Sequence, residues 1–229
     1  MATRVQDTVV YAAGVVQGVV LVTFPAASTV FTDPARYDLS SAQYGTLFLP
    51  QVIAAILASL FGASLGSRFG TKRVYLMGLA ADLSSMALLI VSSLLSSNHG
   101  VAYALLLCAT GSLGAGFGLA VPALNTFAAE FHPAGVDRAI LVLNALLGLG
   151  TVMAPVFVAV FVGLGFWQGL PVISAILLVT LAAVSLRLPL RVQAAAKAST
   201  PGTARMKQWF SSSPRRAMIM ATVAVSPYA

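Results

Sequence analysis

Long apolar runs with almost no charge recur along this chain, and they limit its possible folds more than any other feature. Six lie at about residues 8–31, 42–66, 74–96, 100–127, 138–163 and 167–186. A helix needs roughly 20 apolar residues to cross the hydrocarbon core of a bilayer, so each run is long enough to span one. The separators "TDPARYDLSS", "SRFGTKR", "SSNHG", "EFHPAGVD" and "GLGFWQG" all contain Gly or Pro, the residues at which helices stop. Transmembrane strands would alternate in segments of about ten residues, whereas these runs are continuous. A helix also satisfies its own backbone hydrogen bonds, which lipid cannot do for it. The sequence therefore predicts an all-α membrane protein with six transmembrane helices.

Composition removes the main alternative. Only 8% of residues are charged and 59% are hydrophobic, whereas a soluble domain carries about 25% charge. So few charges cannot cover a water-facing surface. The net charge of +7 could suggest nucleic acid, but basic residues would need a soluble platform to present them and none is visible, so nucleic acid is excluded as a partner. Cys108 is the single cysteine, which excludes an internal disulfide framework and reads as a small buried apolar residue. "MATRVQD" and the run after it resemble a signal peptide superficially. That run is too long for a signal peptide's apolar core and no small-x-small cleavage site follows it, so it reads as the first membrane helix.

Lys and Arg in short loops stay on the cytoplasmic side of a membrane. With the N-terminus cytoplasmic, 13 Lys and Arg residues distribute with Arg36 alone outside. This predicts a multi-pass protein of the cell membrane with its N-terminus inside. Three of the cytoplasmic charges, Arg68, Lys72 and Arg73, crowd the glycine-flanked stretch "GASLGSRFGTKRVYLMG" at 62–78. A topology anchor would account for those charges but not for the glycines.

An internal repeat is also legible. "FPAASTVF" at 24–31 and "VPALNTFA" at 121–128 share Pro-Ala-x-(Ser/Asn)-Thr, pairing Pro25 with Pro122 and Ser28 with Asn125. Each is followed by a second proline, in "DPA" and "HPA". The first run ends outside and the fourth ends inside, so the repeat predicts two inverted three-helix units, a layout common in secondary transporters. Glycine pairs at four-residue spacing (Gly14 and Gly18, Gly62 and Gly66, Gly114 and Gly118) predict close helix packing. In "GSLGAGFG" they also allow a helix to bend or slide.

"ASLGSRFGTKRVYL" resembles the loop between helices 2 and 3 of the major facilitator superfamily, whose pattern is Gly-x-Leu-Ala-Asp-Arg-x-Gly-Arg-Lys. Leu65, Arg68, Gly70 and Lys72 match, while Ala63, Gly66, Ser67 and Thr71 depart from the pattern. "AAEFHPAGVDRAILVLNALLGLG" is similar to the family's helix 4–5 junction, through Glu130, Pro133 and Arg138. "LGTVMAPVF" and "GFWQG" resemble its helix 5 and the aromatic turn into helix 6. The resemblance covers about residues 8–187. It implies a six-helix bundle and a cytoplasmic gate formed by Arg68, Gly70, Lys72, Arg73, Glu130 and Arg138. Ser67 stands where the family has Asp, which weakens the gate's charge contacts and leaves Glu130 to partner Arg68 or Arg138.

Charges inside a membrane are functional suspects by default. Asp82, in "GLAADLSSM", is the one acid deep within a run, and it is the candidate proton site. The resemblance puts the third helix away from the cavity, which counts against a substrate role and favours a carboxyl bonded to nearby hydroxyls or held protonated. Helices 1 and 4 line the family's cavity, so Gln17, Ser28 and Asn125 are the candidate substrate contacts. Thr23, Thr110, Ser112 and Thr126 lie on the same runs, and Gln51 and Asn144 are weaker candidates. Interhelical hydrogen bonding is the plain alternative for all of them. "GASLG" fits the hydrolase pattern Gly-x-Ser-x-Gly, but that motif needs a strand-to-helix elbow and here it lies within a membrane helix. No enzyme, cofactor or metal site is predicted.

After residue 187 the sequence becomes basic and rich in Ala, Ser, Thr and Pro. It reads as a cytoplasmic linker over 188–216, with "ARMKQWF" suited to a lipid surface. "AMIMATVAVSPYA" at 217–229 reads as the start of a truncated seventh helix. The expectation is a secondary active transporter, half or fragment, that moves a small solute by ion- or proton-coupled alternating access. Its partners would be the lipid bilayer, the solute, and a missing C-terminal half or a second copy. The alternative is a non-transporting membrane scaffold or subunit.

Overall fold

Pro25 breaks the first apolar run. It has no N–H to give the Leu21 carbonyl four residues back, and its ring crowds that carbonyl. Helix α1 (Arg4–Leu21) ends there, and the run continues as two single-turn helices, α2 (Thr23–Ala26) and α3 (Ser28–Phe31). The ladder resumes at once, with Ala26 N donating to Val22 O at 2.9 Å and Ala27 N to Thr23 O at 3.1 Å. The expectation of one unbroken helix over 8–31 is thus corrected to a helix followed by two short turns.

The computed structural model describes residues 4–190, and the regular structure in them is all helical. Residues 191–229, which hold most of the expected linker and the whole 217–229 run, lie outside the described residues. After α3 come α4 (Ser41–Thr46), α5 (Phe48–Phe69), α6 (Thr71–Leu94), α7 (His99–Phe131), α8 (Val136–Gly163) and α9 (Gly169–Arg187). Among the described residues, five helices are long and apolar enough to cross a membrane: Ser41–Phe69 (α4 running into α5), then α6, α7, α8 and α9.

Local chemistry sets the helix boundaries. Ser40 Oγ accepts from Gln43 N at 3.2 Å, and Gln43 Oε1 accepts from Ser40 N at 2.9 Å, a reciprocal cap that starts α4. Asn98 Oδ1 accepts from Val101 N at 3.3 Å to start α7. Gly70, at φ +88°, ends α5 and opens α6 in a single residue, a reversal that L side chains rarely adopt.

Pro122 lies inside α7 without breaking it. The carbonyl it leaves without a helical donor is that of Gly118, and Ser59 Oγ of α5 donates to it at 3.3 Å. A neighbouring helix thus supplies the bond that the proline removes, as polar side chains do in membrane bundles.

Helix α1 packs along α8, α7 packs along both α5 and α6, and α6 also meets α9. The first contact relies on Gly18: a Cβ there would overlap the Leu147 carbonyl and come within 2.9 Å of Thr151 N. The second relies on Gly114 and Gly118. A Cβ on Gly114 would overlap the Gln51 carbonyl, and one on Gly118 would meet Ala58 Cβ at 2.9 Å. Gly66, expected to pack like the others, has open space around it. Cys108 is exposed on α7, not buried as the sequence suggested.

At one end of the bundle the 32–40 loop folds back over the helices. Its Tyr37 is buried, with its ring edge-on to Phe31 at 5.3 Å and to Trp167 at 6.0 Å, and burial pushes its hydroxyl pKa up to about 12. His99 Nδ1 meets the Tyr37 carbonyl at 3.0 Å, tying the loop to the start of α7.

Candidate functional site

Asp82 sits eleven residues after Thr71, roughly 16 Å along a 24-residue helix and close to its midpoint. Its side chain is fully buried. Gln17, equally buried on α1, donates from Nε2 to Asp82 Oδ2 at 2.6 Å. Gly116 of α7 makes the room, since a Cβ there would overlap the Asp82 carboxyl. Helices α6 and α7 come together at the same crossing through Gly78, where a Cβ would lie 2.8 Å from Ala120 N. Three helices therefore meet around one carboxyl.

This polar cluster is only partly satisfied. Asp82 Oδ1, Gln17 Oε1 and the hydroxyl of Ser85, one turn further along α6, are buried with no hydrogen-bond partner among the described residues. An unpaired polar group in a low-dielectric interior is costly, and such atoms are ordinarily met by an ordered water or a further polar group. The expected hydroxyl partners for Asp82 are replaced by an amide. Gln17, one of the candidate substrate contacts, is hydrogen-bonded to the candidate proton site.

The other candidate cavity residues do not gather around this pair. Ser28 is half-buried at the start of α3, beside Tyr44. Asn125 is half-buried near the opposite end of α7, its Oδ1 enclosed without a partner among the described residues. Asn144 is exposed and its Nδ2 donates to its own helix, to Ile140 O at 2.9 Å.

The gate candidates lie at the end of the bundle carrying the Gly70 turn. Arg68 is exposed, with its guanidinium 5.3 Å from the centre of the Phe69 ring. Arg73 and Arg138 are also exposed, and Glu130 is half-buried in the last turn of α7. Lys72 has a different engagement. Its Nζ donates to Leu186 O at 3.0 Å and Leu188 O at 2.7 Å, so its charge sits on the carbonyl end of α9. Gln6 Nε2 donates to Pro189 O at 2.9 Å and holds the same segment from α1.

Two features of this end had no clear signal in the sequence. One is the clasp on residues 186–189, because nothing local marks which carbonyls a lysine will reach. The other is the approach of His132 Nε2 to Asp7 Oδ2, 3.9 Å apart, between the start of α1 and the α7–α8 junction.

The family model described as the Major Facilitator Superfamily matches residues 7–228. No curated protein and no solved structure matches the chain. The helical spans, the glycine-hinged basic turn and the family match over nearly all of the sequence agree, and the chain belongs to the Major Facilitator Superfamily, whose members are membrane transporters and not enzymes.

Proposed function

We propose that this chain forms a six-helix half of a secondary transporter that moves a small solute by alternating access. Its two three-helix units would be inverted and its N-terminus cytoplasmic. One observation carries this reading: α1 packs on α8, and α7 packs on α5. If the apolar runs divide into two groups of three, the first helix of each unit lies against the second helix of the other. Two units exchanged about a two-fold axis would pack in this way. Because each unit has three spans, the second would enter the membrane in the opposite direction.

Charge supports the orientation. Among the described residues, Arg4, Arg68, Lys72, Arg73, Arg138 and Arg187 belong to one end of the bundle and Arg36 to the other. In this reading Arg68, Gly70, Arg73, Glu130 and Arg138 form the cytoplasmic gate, while Lys72 fixes the end of α9 beside it. Ser28 and Asn125 are the proposed solute contacts.

Asp82 is the proposed coupling site. Its Oδ2 accepts from Gln17 whether or not the carboxyl is protonated, but only the ionised form gives a charge-assisted bond, roughly twice as strong as a neutral one. Gain and loss of a proton would therefore change how firmly α1 is held to α6.

The second half, or a second copy, has faces available to it. Leu49, Ile53, Ile56 and Leu60 of α5, and Leu141, Leu149, Val152 and Val156 of α8, are exposed. Uptake into proteoliposomes of the chain, with and without a matching C-terminal half, tests the proposal. Solute flux only when a second bundle is present is the expected result. Absence of flux in both preparations across a broad solute panel would favour the scaffold alternative.

A further inference from the structure

We infer that Asp7 and His132 form a proton-dependent tie between the start of α1 and the α7–α8 junction, one that tightens on acidification at the Gly70 end of the bundle. Their facing atoms, Asp7 Oδ2 and His132 Nε2, are 3.9 Å apart, too far for a hydrogen bond and close enough for charge attraction. Tyr11, one turn after Asp7, brings its ring centre within 6.2 Å of the imidazole. Asp7 Oδ1 and His132 Nδ1 are both enclosed without a hydrogen-bond partner among the described residues. The two side chains thus meet through one face each, while the other face of each points inward and unsatisfied.

Imidazole is the side chain whose charge ordinarily changes between about pH 5 and 8. When neutral, it offers the carboxylate no charge at this distance. When protonated, it is attracted to Asp7, and its place as the residue that caps the carbonyl end of α7 also suits a positive charge. The sign follows from these partners: the attraction is present below the imidazole titration and is lost as pH rises through it. The other titratable or charged side chains on these segments are Arg4 and the neutral Tyr11 hydroxyl on α1, Glu130 on α7, and Asp137 and Arg138 on α8.

Side-chain exposures of 37% for His132 and 29% for Asp7 give water access to both groups. Protons from bulk solution can therefore reach the pair, and screening keeps it weak. A weak tie is suited to regulation, because it biases a moving element without fixing it. Its consequence for transport rests on the transporter reading above; the tie itself does not.

Hydrogen exchange on the full chain in lipid nanodiscs tests it, followed over segments 5–12 and 128–138 at about pH 5.5 and 8 and normalised to unstructured-peptide rates. Protection in the first turns of α1 should be about two- to fivefold greater in acid, in keeping with a half-exposed ion pair. The excess should disappear in Asp7→Asn and His132→Gln, and in the unaltered chain at about 1 M salt, where the Debye length is near 3 Å. The salt measurement decides the matter even if a variant fails to fold. Equal protection at both pH values, or an acid-dependent excess that survives salt or His132→Gln, would overturn the inference. Solute flux plays no part in this readout, so loss of the transporter reading would leave the result interpretable.

Discussion

Gln17 Nε2 donates to Asp82 Oδ2 at 2.6 Å, joining α1 to α6 through two side chains with no exposed surface. The remaining oxygens, Gln17 Oε1 and Asp82 Oδ1, have no hydrogen-bond partner among the described residues. An abandoned buried polar group costs about 1–3 kcal/mol. Gln17→Leu should therefore lower stability by about that amount, read as thermal unfolding in mild detergent. Asp82→Asn should cost less, because its amide oxygen still accepts from Gln17. The Asn side chain has no proton to lose, so flux in this variant should no longer respond to a proton gradient. Gradient-dependent flux in a folded Asp82→Asn protein would remove Asp82 as the coupling group.

Gly116 gives a steric test of the same crossing. A methyl group there would overlap the Asp82 carboxyl, so Gly116→Ala should destabilise by about 1–3 kcal/mol. Gly148, also within a long helix, has open space where an added methyl group would sit, and Gly148→Ala should be neutral or stabilising by up to about 1 kcal/mol. Equal thermal shifts in the two variants would mean that the crossing does not need its glycine.

The Ser59 bond to Gly118 predicts a coupling. Ser59→Ala should cost about 0.5–1.5 kcal/mol, since it leaves the Gly118 carbonyl without a donor. With Pro122→Ala in place, the restored N–H at 122 can donate to that carbonyl, and the same serine substitution should cost less. A double-mutant cycle on unfolding in detergent reads the difference directly. Strict additivity would show that the serine does not stand in for the missing proline N–H.

Lys72 holds residues 186–188 through two carbonyls. Arg187 lies between them and is exposed, so trypsin can report on the clasp. Lys72→Met should speed cleavage after Arg187 severalfold in detergent, and Lys72→Arg, which still donates, should restore much of the protection. Unchanged cleavage in Lys72→Met would show that Lys72 does not hold this segment and would leave it with Arg68 and Arg73 as a candidate for the proposed gate.

Hydropathy made the all-helical class legible, because lipid leaves a continuous apolar run few other options. The break after Leu21 was legible in principle too, since Pro25 forbids one specific bond. Pro122 shows why that rule cannot be applied from sequence alone: a serine on another helix keeps the helix intact. The same limit applied to the site. Asp82 stood out as a charge within an apolar run, and Gln17 as a polar residue in another, yet nothing in either run marks the other as its partner. Their meeting depends on how α1, α6 and α7 cross, and that crossing is set by Gly78 and Gly116, residues that read in sequence only as permissive. Lys72 was recognised as a functional charge, but its partners are backbone carbonyls, which carry no residue signature at all.

Arg68 separates the two roles proposed for the basic turn. It is exposed and leans over Phe69, so its removal deletes no buried contact. Arg4, Lys72, Arg73, Arg138 and Arg187 remain at the same end to hold orientation. Arg68→Ala should therefore insert normally and keep its topology, judged by the accessibility of single cysteines placed at each end of a Cys108→Ser background. If Arg68 belongs to the gate, the same variant should exchange more slowly between its inward- and outward-open forms, and that defect should appear as an altered ratio of labelling at the two ends when solute is added. A variant that inserts the wrong way round while switching at the normal rate would make the turn an anchor alone.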